Sequence, residues 1–311
     1  MSRTRRKSPA PLPQRQGIDA ARLRLPLTGG PWRTVRDHLV ERLAPPPEVI
    51  DAMLTAGEFV TADGRPLAPD APYAPGLTLW FHRELRPEPP VPFPLRIVHR
   101  DAHIVVVDKP HFLATTPRGG HVTETALARL RRELDLPALG AAHRLDRLTA
   151  GLVLFTVRPE ERGAYQGLFR DKRVYKEYEA LAPDDPALDL PRTVRSRIVK
   201  ERGVLTAQEV PGEPNAISRV ERLGPVPTDG RHGALARYRL LPLTGRTHQL
   251  RVHMNALGVP ILGDPLYPVV REPVPPGDFG EPLRLLARVL AFTDPVTGVA
   301  HRFTSDRALA P

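Results

Sequence analysis

The sequence predicts an α+β protein: a mixed, mainly antiparallel sheet flanked by helices, with a small N-terminal α/β module. Three observations predict it. From Leu95 onward, short runs of strand character outnumber stretches of helical period. Several of these runs follow one another closely enough to be joined by hairpins, which argues for a mixed sheet. No fixed-period repeat or heptad run is present, so a solenoid or coiled coil is not expected. A chain of 311 residues can hold one sizeable core plus a small second domain.

Residues 1–17 are Arg, Ser, Pro and Gln with almost nothing to bury, and are expected to be a disordered basic arm. Residues 18–83 are expected to form the small module. Within it, Thr34 to Leu43 places Val35, Leu39, Val40 and Leu43 on one helical face, and Pro45-Pro46-Pro47 stops the helix. A second helix, Pro47 to Ala56, ends at Gly57. Glu58 to Thr61 and Leu77 to Phe81 read as short strands, with a turn at Asp63-Gly64. Residues 84–94 contain five prolines and read as a stiff, extended linker.

Residues 95–311 form the larger domain. Ile97-Val98 and Ile104 to Val107 read as strands. Thr123 to Leu134 reads as a helix with Thr123 as its N-cap, and Pro159 to Phe169 as a helix with Pro in its first turn. Leu152 to Phe155 is an apolar, buried strand. Alternating strands follow at Val174 to Leu181, Val194 to Val199, Ala216 to Leu223 and Ala234 to Leu241. Thr247 to Leu257 reads as a helix capped by Thr247 and closed by Gly258.

The formal charge is +10, which favours a polyanionic partner such as RNA or DNA. Only five basic residues are Lys, and the abundance of Arg, Ala and Pro fits a GC-rich coding sequence, so charge alone does not establish nucleic acid. The chain has no Cys, which excludes disulfides, thiolate metal sites and a Cys nucleophile. It has no long apolar run and no signal-peptide centre, so a cytoplasmic location is expected.

Phosphate-loop, metalloprotease-helix and hydrolase-elbow motifs are absent. Two other stretches stand out. The first is His143-Arg144-Leu145-Asp146-Arg147-Leu148-Thr149-Ala150-Gly151, directly before the buried strand. A charge held at the edge of a core must be paired or functional, although taken alone the run also fits a surface ion pair. The second stretch is Leu243 to Met254, whose helix carries Leu250 and Met254 on one face and crowds His248, Arg251 and Asn255 on the other. His248 and His253 are five residues apart, a poor metal-chelating spacing on a helix, and no third ligand is evident.

Together these stretches resemble the signature segments of the RluA-type pseudouridine synthases. Val107-Asp108-Lys109-Pro110, Lys172 to Leu181, and Gly258 to Tyr267 match further segments in the family's order. The likeness spans roughly residues 95–300 and implies the pseudouridine synthase fold. It implies an enzyme that detaches uracil from ribose, turns the base and rejoins it through a ring carbon, with no cofactor or metal. It assigns Asp146 as the nucleophile. Arg251 would pair with Asp146, its fork orienting both carboxylate oxygens. Tyr178 would stack on the target base and help move a proton in the final step, and Leu250 would cover the other face. Arg144 would fill the gap left by the flipped uridine. His143, Arg246 and His248 complete the expected RNA-contacting set.

Two departures stand out. Thr149-Ala150-Gly151 replaces the usual Thr-Ser-Gly, and Leu285-Leu286-Ala287 lacks the His of the usual Leu-His-Ala. The module at 31–83 also faintly resembles the alpha-L RNA-binding domain of ribosomal proteins, without its basic helices. Expected partners are ribosomal or transfer RNA, with no membrane or metal, and a monomeric chain. A silent RNA-binding protein and a hydrolytic nucleosidase are the competing readings. The second usually wants another carboxylate or a metal-held water, and neither signature stretch supplies one.

Overall fold

The computed structural model describes residues 10–311 except 29, 229 and 273. It divides into two compact units, Met1–Pro87 and Glu88–Pro311.

The first unit contains β1 (Ala21–Arg24), α1 (Val35–Leu43), α2 (Pro47–Thr55) and β2 (Thr78–Phe81). Thr34 caps α1: its side chain accepts from the Asp37 amide, and the Asp37 carboxylate accepts from the Thr34 amide. Pro47 opens α2, where its missing N–H costs no helical bond. Gly57 takes the left-handed φ of 68° that ends it. Val35, Leu39, Ile50, Leu54, Phe59 and Leu79 form one core. Strand β1 pairs antiparallel with β2; its alternation of Arg with only two apolar residues hid it in the sequence. Glu58 to Thr61 is not a strand, because its pairing is confined to isolated bridges from Val60 to Pro66 and Trp80. Residues 1–9 of the expected arm lie outside the described residues. Residues 10–17 are held in place: His82 donates to the Pro13 carbonyl, and Arg15 and Ile18 exchange backbone hydrogen bonds.

The second unit runs β3 (Arg96–Arg100), β4 (Ile104–Lys109), α3 (Ala126–Glu133), β5 (Gly140–Ala141), β6 (Ala150–Thr156), α4 (Arg162–Arg170), β7 (Tyr175–Pro183), β8 (Arg192–Val199), β9 (Gln208–Val210), β10 (Ala216–Val226), β11 (Leu235–Pro242), α5 (Gln249–Ala256), β12 (Leu285–Thr293) and β13 (Ala300–Thr304). Its strands form one sheet in the order β3-β4-β6-β12-β7-β11-β10-β8-β9, with β13 beside β12 and β5 beside β6. Among the described residues only β6 and β12 pair in parallel.

Strands β4 and β6 are apolar on both faces for a reason. Val105, Val107, Val153 and Phe155 pack under α3. Ile104, Val106, Leu152 and Leu154 pack on the opposite face against Tyr165 and Leu168 of α4. Helix α5 lays Leu250 and Met254 on Ala180, Val220, Tyr238 and Leu240. The parallel seam needs Gly151: a Cβ there would lie 2.3 Å from the Ala287 carbonyl oxygen, and its φ is 110°.

Several expected boundaries shift. Residues 88–94 are not a free linker but part of this unit. The Glu88 carboxylate accepts from the Val122 and Thr123 amides, and Arg129 donates to the Val91 and Phe93 carbonyls. Thr123 is thereby occupied, and Thr125 caps α3 instead. Pro159 lies in a turn before α4, which starts at Arg162. Helix α5 starts at Gln249, so Thr247 is not its cap; His248 holds that position in a left-handed conformation, φ 57°. The C-terminal hairpin β12–β13 had no clear signal in the sequence.

Candidate active site

Asp146 lies in the loop between β5 and β6, and the loop is fastened residue by residue. The His143 Nε2 accepts from the Leu154 amide at 3.1 Å. The Thr115 hydroxyl donates to the Leu145 carbonyl and accepts the Leu145 amide, at 2.8 and 3.1 Å. Lys109 donates to the Arg147 carbonyl at 3.3 Å, and His111 Nδ1 donates to the Leu148 carbonyl at 2.6 Å. A loop held at four points around one carboxylate costs little further ordering when a substrate arrives.

Lys109 is fully buried and also donates to the Pro110 and Leu113 carbonyls, at 2.9 and 2.8 Å. Burial lowers its pKa to about 7, opposed by the Asp146 charge. Burial also lowers His111 to about 4 and His143 to about 3, so both rings are neutral struts. His143 was expected to contact RNA. Its Nε2 is taken by Leu154, and its ring stacks on Phe169 with centroids 4.3 Å apart.

Arg251 and Asp146 converge as expected, but not by the expected geometry. The Arg251 Nη1 lies 3.5 Å from Asp146 Oδ2. Its planar fork, Nε and Nη2, binds Asp264 at 2.7 and 2.6 Å. Asp264 also accepts the Leu266 and Tyr267 amides, and both partners of the fork are buried. Burial opposes the Arg251 charge, but the hydrogen-bonded Asp264, then its charge and that of Asp146, leave its pKa raised.

His248 faces Asp146 from the other side, with Nε2 at 4.0 Å from Oδ2. Its tautomer follows from its neighbours. The Tyr267 hydroxyl donates its one proton to the Ala207 carbonyl and accepts the Ala207 amide, both at 2.8 Å. The His248 Nδ1, 3.0 Å from that hydroxyl, must therefore donate. Burial lowers the pKa of His248, so Nε2 carries a lone pair toward Asp146.

Tyr178 follows Lys176 on the cleft face of β7. Burial, then the Asp146 charge, pushes its phenol well above the usual range, so it stays protonated. Leu250 is buried in the apolar cluster against which Tyr178 packs, and both line the cleft. Arg144 is exposed at the rim with no protein partner among the described residues. Arg246 is also at the rim, its Nε donating to the Asn215 carbonyl at 3.2 Å.

All eight residues singled out in the sequence line one cleft of about 1010 Å³. Among the described residues, eight Lys and Arg side chains line it and Asp146 is its one acid. Sequence reasoning missed Asp264, Tyr267, Lys109, His111 and Thr115. Asp264, Tyr267 and Lys109 lay inside matched segments, but nothing in the sequence said which partner each would face.

Residues 103–256 match the family model described as RNA pseudouridylate synthase. The chain is 34% identical over 224 residues to the dual-specificity RNA pseudouridine synthase RluA of Pasteurella multocida, covering 67% of this chain and 91% of that one. The chain belongs to the RluA-type pseudouridine synthase family. This synthase is also 30% identical to the ribosomal large subunit pseudouridine synthase D of Pseudomonas aeruginosa, covering 68% of each. Its fold matches the human RNA pseudouridylate synthase domain containing 1, with a TM-score of 0.51 at 23% identity, over 69% of this synthase and 84% of the human chain. It is an RNA isomerase, and among the described residues no helix is long and apolar enough to cross a membrane.

Proposed function

We propose that this synthase isomerises a uridine of ribosomal or transfer RNA, with Asp146 as nucleophile. The observation that supports this is the single carboxylate among eight cations that the described residues place in one cleft. The cations suit an RNA backbone, and the carboxylate is left to do chemistry. The flipped base stacks on Tyr178, Leu250 closes its other face, and Arg144 enters the vacated stack. Arg251 aims Asp146 through Nη1. The N-glycosidic bond breaks, the base turns, and a bond from its ring carbon to the ribose replaces it. That carbon gives up its proton and the freed ring nitrogen takes one. Tyr178 offers a neutral O–H beside the negative Asp146, so stacking is the role its surroundings favour.

A hydrolytic nucleosidase is disfavoured, because among the described residues no second carboxylate lines the cleft to activate water. For the N-terminal unit, RNA binding in the manner of the alpha-L domain is supported by its order of helix, helix, Gly57 and strand. Removing residues 1–87 and finding RNA affinity unchanged would count against that role.

The test of the whole reading is a map of pseudouridines in ribosomal and transfer RNA. Cells with the gene, without it, and with Asp146→Asn are compared. A uridine left unmodified in the last two supports the proposal, and identical maps sink it.

A further inference from the structure

We propose that Lys176 is a subsite for one phosphodiester of the RNA, set beside the base-stacking Tyr178. The inference rests on the isomerase reading and gives its cleft a specific anchor for the backbone. Strand β7 alternates: Tyr175 and Glu177 share the far face, where the tyrosine hydroxyl donates to the carboxylate at 2.7 Å. Lys176 and Tyr178 share the near face, and both line the cleft. Two residues along a strand span about 7 Å. A nucleotide whose base rests on Tyr178 therefore has its own backbone within reach of Lys176.

The ammonium is half-buried and under-satisfied. It donates to the Thr244 carbonyl at 3.1 Å and has no other acceptor among the described residues. Lys109 in the same unit shows the alternative, three donors matched to three carbonyls. Among the described residues Lys176 has no carboxylate partner either. Asp146, the one acid of the cleft among the described residues, already faces Arg251. Burial alone brings the Lys176 pKa down to about 8, the mark of a cation taken from water without a counterion. Arg170, Lys172 and Arg246 line the same cleft, so the missing counterion is an anion brought by the ligand. In an RNA enzyme that anion is a phosphodiester.

The full chain is titrated with unmodified transcripts of ribosomal and transfer RNA at several KCl concentrations. For Lys176→Met, the plot of log affinity against log salt should be shallower by about 0.7–0.9, the share of one phosphate. The KM for pseudouridine formation should rise with kcat kept, and Lys176→Arg should restore both. A second measurement needs no variant. Only five lysines are present, so acylation of each is readily mapped by peptide mass. The transcripts should protect Lys176 in the wild-type chain. An unchanged salt slope and KM, or Lys176 equally reactive with and without RNA, would overturn the proposal. If the wild type formed no pseudouridine on any of these RNAs, the isomerase reading would fail, whereas protection and slope would still decide the subsite.

Discussion

Arg251 gives Asp146 only its third nitrogen, Nη1 at 3.5 Å, because Asp264 already holds Nε and Nη2 at 2.7 and 2.6 Å. The guanidinium is thus locked in place before a substrate arrives, and Asp146 keeps oxygens free to react. With Asp146 as the proposed nucleophile, Asp264 would act through Arg251 as a positioning residue. In Asp264→Asn the buried cation loses its full partner, which costs about 3–5 kcal/mol of stability. The kcat should fall far more than KM rises, since an aim, and not a binding contact, is lost. Single-turnover kinetics on folded protein checks this. A kcat equal to wild type would show that Asp264 does not position Arg251.

The β6–β12 seam gives a stability prediction with its own control. Gly151→Ala places a methyl 2.3 Å from the Ala287 carbonyl oxygen, backbone that cannot swing away, at a φ of 110°. It should cost more than about 3 kcal/mol or abolish folding. Gly167→Ala in α4 meets nothing nearer than 3.5 Å, and should stabilise by about 0.5–1 kcal/mol. Urea denaturation of the pair decides it, and two equal midpoints would refute the argument.

That the candidate residues share one cleft was legible because they sit in contiguous runs. Asp146 precedes an apolar strand, and Arg251 and Leu250 sit on a short helix. The fold class was legible for the same reason, through Leu152 to Phe155 and the alternating strands. Partner choice was not legible. Whether Arg251 turns its fork to Asp146 or Asp264 depends on where residues 258–267 return, over a hundred residues after Asp146. Thr123 and Thr247 looked like caps, but tertiary contacts overrode the local pattern: Glu88 occupies the first, and a left-handed His248 displaces the second. The prolines of residues 84–94 predicted a stiff, extended linker, but Arg129 and Glu88 attach the segment's later half to the second unit.

Acid should destabilise this synthase before its carboxylates titrate. His253 is fully buried, its Nε2 sits 3.1 Å from the Ser196 hydroxyl, and its Nδ1 has no partner among the described residues. Burial lowers its pKa to about 4, while an unfolded His titrates near 6.5. The unfolded chain therefore binds the proton first. Stability is full above pH ~6.5 and falls as pH drops toward ~4, by at most about 1.4 kcal/mol per unit for this one group. His111 and His143 act in the same direction. Urea midpoints at pH 7, 6 and 5 should fall steadily, and His253→Gln should flatten the slope. A midpoint independent of pH over that range would contradict it.

The two departures from the family pattern fall at one place. Ala150 stands where Ser is usual and Leu286 where His is usual, and the two residues are direct partners across the parallel seam. Both are fully buried in an apolar cluster with Leu181 and Leu309. Leu285, not Leu286, lines the cleft, so the lost His is no gap in the active site. Where the family pattern carries a polar pair, this chain carries an apolar one. Leu286→His alone should bury an unpaired imidazole and cost about 1–3 kcal/mol. Adding Ala150→Ser supplies a hydroxyl beside it, and the two changes should recover about 0.5–3 kcal/mol as coupling. Pseudouridine formation by the folded double variant should match wild type. Strictly additive denaturation energies would mean that the two positions changed independently.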